Sequence, residues 1–309
     1  MLEKPDVDFL IAGSRGLSGG EETGGLTGCV TDKLNARRSA DMRARGLLVF
    51  ALLLLPYSAF GQALPAAIPE HLKGCKNTRY HAVDYVVCRF DKRETDVRLF
   101  LYDEAGEPYG HFTKVDEALV ENGEKLAFAM NAGMYHEDRS PVGLYIEDGE
   151  VIAPLNTNDG PGNFHLKPNG VFFQLAEPNS YSLLDTWEFS HNRDGGKALN
   201  DQLSELKFAT QSGPMLVTAG RIHHRFIPDS DSRKRRNGVG IIGRNQVVFV
   251  IADTPVNFYD FAHFFGSVLN AHNALYLDGT ISRIFAPELE RNDPGVPMGP
   301  IVGVVVKND

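Results

Sequence analysis

The chain is poor in cysteine, with three in 309 residues, and holds a single tryptophan. It is also short of positive charge: 31 Lys and Arg stand against 40 Asp and Glu, a net charge of −9. That balance excludes nucleic acid as the main partner, because phosphate backbones are gripped by clustered Lys and Arg. The one basic run, Arg233-Lys-Arg-Arg236, could serve a single anionic group. Downstream of residue 62 there is no G-x-S-x-G elbow, no P-loop, no H-E-x-x-H, and no G-x-G-x-x-G following a strand. A C-x-x-C redox pair is missing too. The ten histidines show no metal-ligand spacing, and His223-His224 lie adjacent in an expected strand, pointing to opposite faces as packing or surface residues.

No apolar run reaches the about 20 residues that a bilayer-spanning helix needs. A shorter one is present. Arg43 and Arg45 precede Gly46-Leu-Leu-Val-Phe-Ala-Leu-Leu-Leu-Leu55, and Pro56 with Ser58, Ala59, Gly61 and Ala63 follows. Basic, apolar and small-residue regions in that order predict a signal peptide over 42–61, cleaved after Gly61 or Ala63. The alternative is an uncleaved anchor. Residues 1–41 fit neither a leader nor a folded domain, and Met42 is the expected start, with 1–41 a non-native upstream extension. The mature protein is then periplasmic or secreted in a bacterium, with no stable membrane anchor. Cleavage removes Cys29 and leaves Cys75 and Cys88. An even pair in an oxidising compartment predicts one disulfide, the alternative being two buried thiols.

The mature region reads as strands. Apolar or alternating runs occur at 85–90, 97–102, 126–130, 142–146, 171–175, 208–210, 238–242, 247–252, 274–277 and 301–306. Turn signals at 147–150, 218–220 and 243–245 predict three tight hairpins and therefore antiparallel neighbours. Helices are expected at Lys114–Glu121 and Phe258–Leu269, the second with a core-facing Phe stripe. Many hairpins with few helices predict an α+β fold around a mixed, mostly antiparallel sheet, in one domain spanning 75–309.

Chemistry collects where strands end. Leu126-Ala-Phe-Ala-Met-Asn131-Ala-Gly133 delivers an Asn and then a Gly; Pro168-Asn169-Gly170 and Gln211-Ser212-Gly213 repeat the pattern. Val250-Ile-Ala-Asp253 and Ala274-Leu-Tyr-Leu-Asp278-Gly279 end in carboxylates. Strand ends hold side chains rigidly, and Gly133 and Gly279 would let backbone approach a ligand closely. Two carboxylates at neighbouring strand ends suit glycosyl transfer. A gap of about 5 Å would suggest retention, and roughly 6.5–9.5 Å inversion.

In this order, Asn131-Ala-Gly-Met-Tyr135, Pro168-Asn-Gly-Val-Phe172, Gln211-Ser-Gly-Pro214, Arg236-Asn-Gly-Val-Gly240 and Leu277-Asp-Gly279 resemble the successive motifs of the phosphodiester glycosidase family. The resemblance runs from about Tyr85 to Val306 and is nearest the bacterial exported branch. It implies hydrolysis of the bond between a sugar's anomeric carbon and a phosphodiester, in an envelope glycan or a sugar-phosphate diester. By the same resemblance Asp278 is the first catalytic carboxylate, Asp253 its partner, and Arg236 a phosphate holder. Asn131, Asn169, Gln211 and Ser212 would bind substrate or brace the loops. Thr280-Ile281 depart from the Gly-rich sequence that follows this Leu-Asp-Gly in animal members, so the substrate-facing loop is expected to differ in shape. No cofactor requirement is evident; Asp and Asn oxygens could hold calcium, although no calcium loop is recognisable. The rival reading is a binding module that grips an envelope glycan without cleaving it.

Overall fold

A computed structural model describes residues 74–177, 180–191 and 197–308. The expected extension at 1–41 and leader at 42–61 lie outside the described residues. Among those residues no helix is long and apolar enough to cross a membrane.

Three antiparallel sheets share one core. The largest has seven strands in the spatial order β1 (Cys75–Tyr80), β2 (Val83–Asp91), β13 (Gln246–Val256), β12 (Lys234–Ile242), β14 (Ala271–Asp278), β10 (Met215–Thr218) and β11 (Arg221–Ile222). The second orders β16 (Arg291–Asn292), β15 (Ile284–Ala286), β4 (Glu124–Asn131), β17 (Ile301–Lys307) and β3 (Asp96–Phe100). The third orders β6 (Glu150–Ala153), β5 (Tyr145–Glu147), β9 (Leu206–Ser212), β7 (Gly170–Leu175) and β8 (Ser180–Asp185).

Alternation along each strand sends one apolar set inward. Val86, Cys88 and Phe90 of β2 meet Val302 and Val304 of β17 and Phe172 of β7 in a single cluster. Phe249 of β13 stands where the sheets converge. Its ring lies 5.0 Å from that of Phe128 in β4 and 6.0 Å from that of Phe172. The outward apolar faces are covered by helices: α1 (Phe112–Glu121) on the second sheet, α2 (Thr186–Ser190) on the third, and α3 (Phe258–His263) on the first. α3 is capped by Asn257, whose side chain accepts from Asp260 N at 2.8 Å. It continues into a wider π turn at Phe264–Val268, so the expected helix to Leu269 changes geometry partway. Gly240 makes room there, because a Cβ would come within 2.9 Å of Phe265 Cδ1.

The α+β architecture is as the sequence predicts, and each of the three hairpins is present. The glycine run Gly238-Val-Gly-Ile-Ile-Gly243 has dinucleotide-motif spacing but lies within β12 and its hairpin turn, with no helix to follow it. Cys75 and Cys88 face each other across β1 and β2 and are disulfide-bonded. β1, β8, β11, β16 and α2 lack the long apolar runs that betray the main strands.

Candidate functional site

Four strands bring an end to one rim, and a fifth runs through it. β4 ends in Asn131, β9 in Ser212 and β14 in Asp278, while β7 begins just after Asn169 and β12 passes through Asn237. Asn237 pairs with Asp278 across the first sheet, and Gly170 pairs with Ser212 across the third.

Asp278 is 5% exposed. Its two carboxylate oxygens each accept a hydrogen bond: Oδ2 from Asn131 Nδ2 at 3.0 Å, and Oδ1 from Gly279 N at 2.7 Å. Asn131 is itself held. Its Oδ1 accepts from Arg283 N at 2.7 Å, and its main-chain oxygen accepts from Asn237 Nδ2 at 3.0 Å. Ser282 Oγ donates to Asp278 O at 3.0 Å and lies 3.3 Å from Asn237 Oδ1. Ser212 Oγ reaches across from the third sheet to Leu277 O at 3.0 Å. The carboxylate therefore sits where three sheets are tied together, fixed by groups that are buried themselves.

The turn after Asp278 closes with Ser282 N donating to Gly279 O at 2.8 Å. It leaves Thr280 exposed at the rim. Arg283 follows, with Nη2 donating to Val296 O at 2.5 Å. Burial pushes its pKa down, opposed by Tyr135 and the carboxylates of Asp293 and Asp278. Asn237, Ser282 and Arg283 are neighbours of Asp278 and Asn131 that reasoning from single motifs missed. Their only sequence signal was position, one residue past Arg236 and four and five past Asp278.

Gln211 braces the third sheet. Its Oε1 accepts from Leu144 N and Asn156 N at 2.9 Å each, and its Nε2 donates to Asn156 O at 2.8 Å and Thr186 Oγ1 at 3.2 Å. Four bonds use its amide fully. Asn169 Nδ2 donates to Phe164 O at 3.1 Å. A Cβ on Gly213 would lie 2.6 Å from Asn169 Cβ, so the two motifs pack backbone to side chain. Gly133 is buried against Thr210 and Gln211, and Thr210 Oγ1 donates to Ala132 O at 2.9 Å.

Two predicted residues stand elsewhere. Arg236 is wholly buried on the helix-covered face, its guanidinium 3.6 Å above the Phe258 ring and 5.5 Å from that of Tyr276. Nε donates to Val256 O at 2.8 Å and Nη2 to Ser232 O at 3.2 Å. Strand alternation sends Asn237 to the rim network and Arg236 away from it. Asp253 lies across the intervening β12 and one residue beyond the Arg236–Ala252 pair, whereas Asp278 pairs with Asn237, so the two are two strand spacings apart and offset along the strands as well, more than about 10 Å. Arg235 and Arg291 hold its carboxylate: Oδ1 accepts from both, at 2.8 and 2.6 Å, and Oδ2 from Arg291 at 2.7 Å. Asp293 completes that cluster. Burial would raise its carboxyl, but Arg291 and Arg235 hold it below the usual range.

His223 is buried, with Nδ1 accepting from Arg225 N at 3.2 Å and Nε2 lying 3.1 Å from Lys167 O. Burial pushes its pKa down to about 4 against the pull of that carbonyl. It is a packing residue and His224 is exposed, but β11 ends at Ile222, so the two do not alternate across a strand as expected: their rings stack, with centroids 5.1 Å apart. Among the described residues no three His, Cys, Asp or Glu side chains cluster as metal ligands.

Three antiparallel sheets thus place a buried carboxylate at a shared rim. The phosphodiester glycosidase profile matches residues 124–304, and the chain belongs to that family. It is 37% identical over 189 residues to the uncharacterized protein YigE of Escherichia coli (strain K12), covering 61% of this chain and 69% of that one. Its fold is similar to the catalytic domain of zebrafish N-acetylglucosamine-1-phosphodiester alpha-N-acetylglucosaminidase, solved in a form auto-inhibited by its pro-peptide. The TM-score is 0.50 at 13% identity, over 74% of this chain and 81% of that one.

Proposed function

We propose that this protein is an exported hydrolase that cleaves a sugar-1-phosphodiester bond in an envelope glycan or a sugar-phosphate diester. The observation that carries the reading is Asp278, buried and oriented by Asn131 and Gly279 where the strand ends converge. In this reading Asp278 acts at the anomeric carbon, as nucleophile or as base for water. The anomeric carbon–oxygen bond breaks, water oxygen ends on the sugar, and a phosphomonoester departs.

Such a leaving group changes what the site needs. A phosphate monoester has its second pKa near 6, so it departs without the proton that an alcohol requires from a second carboxylic acid. One carboxylate and a nearby cation then suffice. In this reading the cation is Arg283, whose main-chain N binds the Asn131 Oδ1 and so borders the amide that orients Asp278. Asp253 remains in its ion-pair cluster and Arg236 in its aromatic stack. The Cys75–Cys88 disulfide supports export, because such bonds persist in oxidising compartments.

One observation favours the rival binding module: both oxygens of Asp253, the second carboxylate expected from the sequence, are taken by arginines. The test is release of reducing sugar from a panel of sugar-1-phosphodiesters, nucleotide sugars included. Release by the wild type and its loss in Asp278→Asn are expected. No release across the panel, with glycan binding retained by both proteins, would leave the binding module.

A further inference from the structure

One sheet edge among the described residues is left unguarded. Edges expose unpaired main-chain groups, and folded proteins blunt them with charge, cover or brevity. β11 and β16 are short, at two residues each. β1 carries Lys76, Asn77 and Arg79 exposed. β3 and β8 are capped by side chains: Tyr181 Oη accepts from Val97 N at 3.1 Å, Lys92 Nζ donates to Tyr181 O at 2.7 Å, and Asn273 Nδ2 donates to Leu183 O at 2.7 Å. β6 has no such cap and, past Glu150, no charge. It ends the third sheet, pairs with β5 alone, and exposes Val151 at 49% and Ile152 at 42%. Two adjacent β-branched residues bare on an unpaired edge are a template for a further strand.

The ground beside that edge is acidic. Glu150 and Ile152 line a cavity of about 250 Å³ together with Glu147, Asp148 and Tyr102. Glu147 and Glu150 stand directly opposite each other across β5 and β6. Like charges in that position weaken a sheet unless they share a cation. Glu147 accepts from neutral donors, Tyr145 Oη at 3.0 Å and the main chain of Leu101, and the charge that bears on it is that of Asp148, of the same sign. Glu147, Asp103 and Glu104 act together on Tyr109, so the negative charge continues past the cavity.

We propose that β6 docks an extended protein segment in which Lys or Arg alternates with β-branched residues, and that this segment joins the third sheet as a further strand. Main-chain bonds along β6 hold it, and its apolar side chains cover Val151 and Ile152. One of its cationic side chains enters the cavity and is shared by Glu147 and Glu150. A second copy of this chain is the poorer partner, because it would bring another set of the same carboxylates to the edge. The surface does not include Asp278 and is independent of the hydrolase reading.

The probe is the fluorescein-labelled hexapeptide Lys-Val-Lys-Val-Lys-Val, titrated into the purified protein and followed by anisotropy. Two control peptides separate the contributions. Glu-Val-Glu-Val-Glu-Val reverses the charge, and Lys-Pro-Lys-Pro-Lys-Pro keeps it but cannot pair as a strand. Saturable binding of the first peptide, about tenfold tighter than that of either control, is expected. Ile152→Lys, which charges the edge, should weaken it by about tenfold, and Glu150→Gln should weaken it less. Both side chains are exposed, so the circular dichroism spectra of the variants should match wild type. Equal affinity for the Lys-Pro peptide would reduce the effect to attraction toward an acidic protein and overturn the docking. Absence of saturation at millimolar peptide, or unchanged binding in Ile152→Lys, would overturn it too. A concentration-dependent dimer that Ile152→Lys abolishes, with the peptide unbound, would assign the edge to a second copy instead.

Discussion

Replacing Asn131 by Asp tests the geometry of the carboxylate most directly. The substitution changes one atom type and almost no volume. It converts the donor 3.0 Å from Asp278 Oδ2 into an acceptor, while the oxygen that accepts from Arg283 N can stay in place. Two carboxylates at that distance share a site only by keeping a proton between them, so one of the two pKa values rises steeply. In the unfolded chain both ionise near 3.9. A folded-state pKa raised above that value contributes stability that is fully present below about pH 4 and lost as pH climbs through the raised pKa. Each unit of elevation costs about 1.4 kcal/mol once the pH exceeds it. An elevation of about two to three units, typical of paired carboxylates, makes Asn131→Asp about 3–4 kcal/mol less stable than wild type at pH 7.5. Near pH 4 the gap should nearly close. Urea unfolding at both pH values, read by circular dichroism, measures the difference. Equal penalties at the two pH values would mean that residue 131 and Asp278 are not in contact, and the proposed site would lose its central bond.

Four further outcomes are expected. Asp278→Asn keeps the shape of the side chain but abolishes sugar release, as a release assay beside an unchanged circular dichroism spectrum would show. Burial pushes the Glu147 carboxyl up to about 7 despite the bond it accepts from Tyr145 OH at 3.0 Å; its stabilising contribution is full below about pH 4.3 and lost as pH rises toward 7, so Glu147→Gln should be more stable than wild type by up to about 3 kcal/mol at pH 8 and no different at pH 4, in paired urea titrations. The double change Cys75→Ser, Cys88→Ser removes a link spanning 13 residues and should cost about 2–4 kcal/mol, and an unchanged unfolding midpoint on reduction of the wild type would contradict this. Arg236→Lys loses the planar stack on Phe258 and the bond to Val256 O and should lower stability by about 2–3 kcal/mol; a raised KM with an unchanged melting temperature would instead return Arg236 to phosphate binding.

The sequence by itself determined most of the secondary structure, because apolar alternation and turn residues act locally. Each of the ten apolar runs holds a strand, though the strand at 142–146 begins only at Tyr145 and that at 97–102 ends at Phe100; the hairpins at 147–150, 218–220 and 243–245 formed as read, and the ordered motifs pointed to the family. It also put Asn131, Ser212 and Asp278 at strand ends. Tertiary structure alone decided which of those ends meet. The bond between Asn131 and Asp278 spans 147 residues, and no local pattern encodes which sheet faces which. The motif pointed to Arg236 and passed over Asn237, whereas packing under α3 turned the arginine inward and left the asparagine at the rim. Asp253 reads like Asp278 in sequence, since each ends an apolar run. Only the tertiary approach of Arg235 and Arg291, 18 and 38 residues away, gives it ion-pair partners and leaves Asp278 as the carboxylate bound by neutral donors at the shared rim.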